Sequence, residues 1–495
     1  MRATEVSVPG TKRSRYEAIR RRRLGRPSLL LLALLLVAGQ ALAQPAPDEW
    51  PHPLELQPPP IDYEPPEARQ ERLSNGITVF LLEDRTLPLV QGVAYVEAPA
   101  LYDPEGKVGL AALTAAMLRE GGAGELSPAE LDIRLEQLAA SVEASADTYL
   151  ASVGFDTLSS TLDEVMPLWR DVLVQPRFDP DRLEVRRQRQ LEAIRRVVDD
   201  PVQLALREFF YRVAEGHPTG AYPTLESINA ITREDIVEFH RSYYGPANTA
   251  IAVAGDFDSD EMLARLEQLL GDWRVEVNPP PPIPPLDEEP DGTVYLAPKQ
   301  MSQSVVVIGH PAVLAYSPAY NDLDVANHIL GGGGFTSRLF EEIRTRRGLA
   351  YATASVVTQG FEYPGTFVAY SISPAQATHQ VISLILEEIE RLQSQPVDPA
   401  ELSLAQETIL NQSLFRYDSA AAIAQRSARV SLLGLEPDYY ERYLDNLQQI
   451  TAEEIQRVAR EELHPQEAVI MVVGDPELFG GSLEDFGEVV TIDLE

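Results

Sequence analysis

One stretch of this chain repeats at a fixed distance, and the repeat fixes the architecture before any single element is considered. Asn229-Ala230-Ile231-Thr232-Arg233-Glu234-Asp235-Ile236 recurs as Gln448-Gln449-Ile450-Thr451-Ala452-Glu453-Glu454-Ile455, a shift of 219 positions from Ile231 to Ile450. At the same shift Pro246 meets Pro465, Gly255-Asp256 meets Gly474-Asp475, and Asp179-Pro180 meets Asp398-Pro399. A register kept without gaps over that span marks an internal duplication. Between the copies, NPPPPIPPLDEE at 278–289 lacks the N–H donors that helices and ladders need, and predicts a stiff linker. The boundaries that follow are a first domain over 67–277, a linker over 278–290 and a second domain over 291–495.

The N-terminus reads as a sorting signal. Arg20 to Arg23 and Arg26 precede the apolar run Leu29 to Val37, and Ala41-Leu42-Ala43 offers a small-residue cleavage site before Gln44. The run is too short to span a bilayer comfortably, so the expectation is export to the periplasm or an equivalent compartment, cleavage near Ala43 and no retained membrane span. A proline-rich arm over 44–66 follows. The chain has no cysteine, which excludes disulfides, thiolate metal sites and a cysteine nucleophile. Its formal charge is −35, and it becomes more acidic once the signal is removed. Such a field repels phosphate backbones and anionic lipid, so nucleic acid is not an expected partner.

Each repeat mixes two periodicities. Strands are predicted at Ile77 to Leu82, Val90 to Glu97, around Tyr149 to Phe155, and at Ala250 to Ala254. Ser127-Pro128-Ala129-Glu130 is a capping box with proline at the first helical position. Leu162, Val165, Trp169 and Leu173 mark a helix with a possible kink at Pro167, and a charged helix runs from Asp181 to Val198. Strands grouped among helices without strict alternation predict an α+β class: two duplicated domains, each a mostly antiparallel sheet with helices packed on it.

The seven histidines, at 52, 217, 240, 310, 328, 379 and 464, include no pair four apart, and there is no G-x-S-x-G elbow. The segment Gly109 to Gly122, GLAALTAAMLREGG, reads as an amphipathic helix with Leu110, Leu113, Met117 and Leu118 facing a core. Its frame, with Asp103-Pro104 and Lys107 before it and paired glycines after it, resembles the pitrilysin/insulinase-like metallopeptidases. Their H-x-x-E-H signature falls on Ala112, Ala115 and Ala116, none of which binds zinc or acts as a base. The later glutamate that completes the family's zinc shell corresponds to Glu192, one surviving position of four. A lone carboxylate on a charged helix is more commonly solvated or ion-paired. His217-Pro218 and Tyr243 to Asn248 also resemble family signposts, and both read as structural.

The second half resembles the family's substrate-binding segment: Gly331-Gly332-Gly333-Gly334, then Phe335 to Phe340, Glu342-Ile343-Arg344 and Gly348-Leu349-Ala350-Tyr351. Four glycines permit either close backbone approach to an extended peptide or flexing as a gate, and no Gly-Lys-Ser/Thr follows to make a phosphate loop. The resemblance assigns Arg344 and Tyr351 to substrate and oxyanion contacts, roles that suit a guanidinium fork and a phenolic donor.

Small bacterial members of this family commonly work in pairs, one subunit carrying H-x-x-E-H and the other Arg and Tyr. The resemblance therefore implies the non-zinc, substrate-binding and oxyanion-stabilising subunit of an exported heterodimeric zinc metallopeptidase, forming a clam-like half shell. It implies no cofactor in this chain, zinc in a paralogous partner with an intact motif, an unfolded peptide as substrate, and no activity alone. The alternative is a non-proteolytic peptide-binding or scaffold homo-oligomer.

Overall fold

The computed structural model describes residues 66–286 and 290–493, so the expected signal and most of the proline-rich arm lie outside the described residues. The first half runs β1 (Arg69–Arg72), β2 (Thr78–Glu83), β3 (Leu89–Val96), α1 (Leu110–Glu120), α2 (Pro128–Gln137), β4 (Ser141–Ala146), β5 (Ala151–Leu158), α3 (Leu162–Val174), α4 (Pro180–Val197), α5 (Pro201–Val213), α6 (Leu225–Ala230), α7 (Arg233–Tyr243), β6 (Thr249–Gly255) and α8 (Ser259–Leu270). The second runs β7 (Val294–Pro298), β8 (Gln303–Pro311), α9 (Pro318–Asn327), β9 (Ala352–Val357), β10 (Thr366–Pro374), α10 (Thr378–Ser394), α11 (Pro399–Leu414), α12 (Ala420–Leu432), α13 (Tyr439–Leu447), α14 (Ala452–Glu462), β11 (Val469–Gly474) and β12 (Val489–Thr491). Among the described residues no helix is long and apolar enough to cross a membrane.

Two six-stranded sheets result, ordered β1-β2-β6-β3-β5-β4 and β12-β7-β11-β8-β10-β9. Apart from the edge strands β1 and β12, they share one topology. In each sheet one central pair is parallel, β2 with β6 and β7 with β11, while the three pairs beyond it are antiparallel. The shift of 219 carries both ends of α5 onto α12, and both ends of α7 onto α14.

Local chemistry sets several boundaries. Ser127 caps α2 in the expected box, its N–H donating to the Glu130 carboxylate at 2.9 Å. Helix α3 passes through Pro167 without a break. Strand β4, reading SVEASA, is the one element of the first sheet's core-forming set with no clear sequence signal, because small and acidic residues are poor strand formers.

Each sheet carries its own helices on one face, around Trp169, Phe155 and Met117 in the first half and Phe367, Leu323 and Ile385 in the second. The other face is covered by a helix from the opposite half. Leu204, Ala205, Phe209 and Val213 of α5 pack on Val305, Val307, Val368, Met471 and Val473 of the second sheet. In return, Ala424 and Ala428 of α12 pack on Phe80, Val93, Tyr95, Ala250, Ala252 and Ala254 of the first. The two contacts differ in kind. Helix α12 approaches through alanine against alanine, whereas α5 inserts Phe209 where Gly309 leaves room, since a Cβ there would overlap the Phe209 ring and the Phe367 carbonyl. Central strands β6 and β11 are buried on both faces, which explains why they read as continuous apolar runs.

Buried His310 ties β8 to the segment after α14. Its Nε2 accepts the His464 backbone N–H at 3.0 Å, so Nδ1 carries the proton and donates to the Pro311 carbonyl at 2.7 Å. Burial, with a smaller effect of His464, pushes its pKa down to about 4 from an ordinary 6.5. The unfolded chain takes up a proton near pH 6.5 that the folded chain refuses until about pH 4. Stability from this group is therefore complete above pH 6.5 and lost as pH falls through that window, by roughly 3 kcal/mol. Urea titrations between pH 7.5 and 4 are expected to show this loss in the wild type and a smaller one in His310→Gln. Equal slopes in the two proteins would exclude it.

Candidate functional site

Helix α1 is positioned by a carboxylate rather than by its own N-cap. Gly109 takes a left-handed φ of 105°, and the Asp103 carboxylate accepts the N–H groups of Gly109 at 2.6 Å and Ala111 at 2.7 Å. Burial outweighs these donors and pushes the Asp103 pKa up to about 6. The helix buries Leu110, Leu113, Met117 and Leu118, the face expected of it.

The three positions where the resemblance calls for zinc-site side chains have different surroundings. Ala112 is half-buried and lines a cavity of about 470 Å³ together with Asp103, Thr148, Tyr211 and His217. Ala115 and Ala116 are buried. Glu192 is half-exposed and pairs with Arg196 at 2.7 Å and with Arg195 at 3.9 Å. Among the described residues no group of three His, Asp or Glu side chains is placed to hold a metal ion. Three methyl groups and an ion-paired carboxylate do not fit zinc, which requires a set of nitrogen and oxygen donors converging on one point.

His217 and the Tyr243 to Asn248 segment serve the fold, as expected. His217 joins the linker to the end of α5: one ring nitrogen meets the Pro284 carbonyl at 2.8 Å and the other accepts the Thr219 N–H at 3.2 Å. Asn248 donates to the Tyr243 carbonyl at 3.2 Å, closing the turn into β6.

In the second half, residues 328–346 are wound unusually. His328–Gly332 and Phe340–Arg346 are π-helical, with a 3-10 turn at Gly334–Thr336 between them. Such wide turns are rare and concentrate at functional sites. The four glycines have distinct surroundings. Gly331 is buried against β9, where a Cβ would overlap the Ser355 backbone nitrogen, while Gly332 and Gly334 are exposed and Gly334 has a left-handed φ of 59°. Arg338 anchors the second π-helix through a forked pair to Glu401, at 2.8 and 2.7 Å.

Arg344 and Tyr351 come together. The guanidinium lies 4.9 Å from the centre of the Tyr351 ring, and also 4.7 Å from that of Phe340 and 5.8 Å from that of Phe335. Neighbouring Arg346 and Arg347 pair with Glu341 and Glu342, but among the described residues Arg344 makes no ion pair. Arg344 is half-buried, and Tyr351 is 78% exposed. Sequence reasoning placed the Arg and Tyr but missed the two phenylalanines. The available signal was an aromatic residue directly after four glycines in a strongly acidic chain.

Comparison with known proteins gives the family and the fold. The profile "Insulinase (Peptidase family M16)" matches residues 79–224 and "Peptidase M16 inactive domain" residues 230–409. The chain is 24% identical over 395 residues to the non-peptidase homologue YmxG of Helicobacter pylori, covering 78% of this chain and 89% of that one. It is 26% identical over 314 residues to an uncharacterized zinc protease of Streptomyces coelicolor, covering 61% of this chain and 68% of that one. A solved peptidase M16 inactive domain from Pseudomonas fluorescens has the same fold, with a TM-score of 0.75 at 23% identity over 82% of this chain and 98% of that one. A protease from Helicobacter pylori gives 0.74 at 19% identity over 82% and 99%.

A duplicated α+β chain, with a peptidase-like helix stripped of metal donors in one half and a glycine, arginine and tyrosine segment in the other, defines a homologue of the two-domain zinc peptidases. The chain belongs to the insulinase-like M16 family, as a member without that family's zinc-binding motif.

Proposed function

We propose that this protein is the exported, non-zinc subunit of a heterodimeric metallopeptidase, binding unfolded peptide and stabilising the oxyanion while a partner with H-x-x-E-H supplies zinc, water and base. The observation that carries this reading is the Arg344 guanidinium, without an ion pair among the described residues, lying 4.9 Å from the ring centre of the exposed Tyr351 phenol. A guanidinium carries five N–H donors in a rigid planar fork and can take a peptide carbonyl. A phenol beside it can donate to an oxygen on which negative charge develops. The test is to combine the purified chain with a co-expressed family member carrying the intact motif, and to assay unfolded peptides. Hydrolysis by the pair, absent from either chain alone and reduced by Arg344→Ala, is the expected result.

A second reading, a peptide-binding or scaffold homo-oligomer without proteolysis, draws on the relative named a non-peptidase homologue. It predicts self-association and no gain of hydrolysis with any zinc-bearing partner.

Both readings expect no tightly held zinc in this chain, and elemental analysis finding one zinc per chain would overturn that. Rebuilding the motif is expected to be limited by packing. Ala112→His has the cavity to enter, but Ala115→Glu places a carboxylate at a fully buried position, and a loss of several kcal/mol is expected. Thermal melts of the two single variants check this difference.

A further inference from the structure

Helix α10 turns one stripe toward the second core, with Val381, Ile385, Glu388 and Leu392 buried at helical spacing. A carboxylate stands where the pattern calls for an apolar side chain. The Glu388 side chain is 8% exposed, and its Oε1 accepts from the Arg391 guanidinium at 3.2 Å. Its Oε2 is buried and has no hydrogen-bond partner among the described residues. Arg338 has the matching deficit. Its Nε and Nη2 fork onto Glu401, but Nη1 is buried and likewise without a partner among the described residues. The charge of Glu388 reaches the Arg338 guanidinium, so the two deficits are neighbours.

Both side chains line one cavity of about 160 Å³, whose wall includes Ser337 and the start of the second π-helix. The other charges in that wall are matched, since Arg346 pairs with Glu341 and Glu342, and Glu401 with Arg338. What remains is one cationic donor and one anionic acceptor facing the same space. Buried polar atoms are normally hydrogen-bonded, so a group that accepts from the first and donates to the second is called for.

We propose that this cavity binds a small zwitterion, a free α-amino acid of the size of glycine or alanine. Its carboxylate accepts from Arg338 Nη1 and its ammonium donates to Glu388 Oε2. Charge-assisted bonds of both kinds are stronger than those of a neutral amide or of water. A zwitterion carries no net charge, so the −35 of the chain does not repel it as it would a simple anion. A bare cation meets the guanidinium groups of Arg338, Arg346 and Arg391 in the wall. Volume sets the upper size, because a cavity of about 150 Å³ holds a molecule no larger than benzene. The site is independent of the reading of Arg344 and Tyr351.

The experiment titrates the full chain with glycine, alanine, leucine, acetate, methylamine and acetamide, with binding read by calorimetry. Glycine and alanine are expected to bind saturably at one site. Leucine, too large, and acetate and methylamine, each offering one of the two charges, are expected to bind at least tenfold more weakly. Glu388→Gln, which keeps the side-chain shape, is expected to weaken glycine at least tenfold while its thermal melt stays cooperative. The ligand series on the wild type decides the matter even if that variant fails to fold. No saturable binding of glycine would mean that the cavity holds ordered water only, and would overturn the proposal. Acetamide binding as tightly as glycine would overturn the zwitterion in favour of a neutral amide. Leucine binding as tightly as glycine, or unchanged glycine binding by Glu388→Gln, would place the amino acid elsewhere and overturn the site.

Discussion

Replacing Tyr351 by Phe, in the chain assembled with a partner carrying H-x-x-E-H, is expected to lower kcat by about 10² to 10³ while leaving assembly and the partner's zinc content unchanged. The substitution removes one hydroxyl from a ring that is 78% exposed, so it leaves no cavity and no buried group unpaired. Any loss of rate then reports chemistry rather than folding. A preorganised donor to a developing oxyanion contributes roughly 2.7 to 4 kcal/mol where this has been tested by mutation, which sets the size of the effect. Because the hydroxyl acts when charge develops, KM should change little. Arg344→Ala should show the reverse, mainly a higher KM, since a carbonyl clamp holds ground state and transition state alike. Wild-type turnover in both variants would remove this pair from the mechanism and favour the scaffold reading.

Cutting the chain in the linker and expressing 67–277 and 291–495 separately is expected to give two polypeptides without cooperative unfolding transitions. Without α5, the second sheet exposes Val305, Val307, Val368, Met471 and Val473 together, while Phe209 is stranded on a helix with nothing to pack against. Without α12, the first sheet exposes Phe80, Val93 and Tyr95. An exposed apolar face of that size leads to aggregation. Co-expression of the two pieces is expected to restore soluble protein. Circular dichroism melts and gel filtration of each piece and of the mixture check this, and two independently stable halves would show that the exchanged helices contribute little.

The fold class was legible because duplication and periodicity are properties of the chain itself. The capping box at Ser127, the buried strand at Ala250 to Ala254 and the charged helix from Asp181 all read locally, from residues within a few positions of one another. The exchange of α5 and α12 did not. Leu204, Ala205 and Phe209 form an ordinary amphipathic stripe, and nothing in a stripe names the sheet that it will cover. At the site, Arg344 and Tyr351 were found through the motif that contains them. Their closeness arises in three dimensions from the turn at Gly348, with a φ of 65°, which returns the chain so that the Leu349 N–H donates to the Ile343 carbonyl at 2.9 Å. The aromatic shell around Arg344 was hidden for a similar reason. In the sequence Phe335 and Phe340 carry no mark of their directions, which the 3-10 turn and the π-helix set.

The crossing of α5 and α12 also bears on the ancestry of the chain. Here neither repeat covers its own second face, and each is completed by the other's helix, the arrangement that a domain-swapped dimer of one repeat would have. In such a dimer every substitution is imposed on both copies at once. Joining the copies by the proline linker freed them to differ. The copies now differ, one carrying Ala112, Ala115 and Ala116 and the other Arg344 and Tyr351, while the exchanged helices still join them.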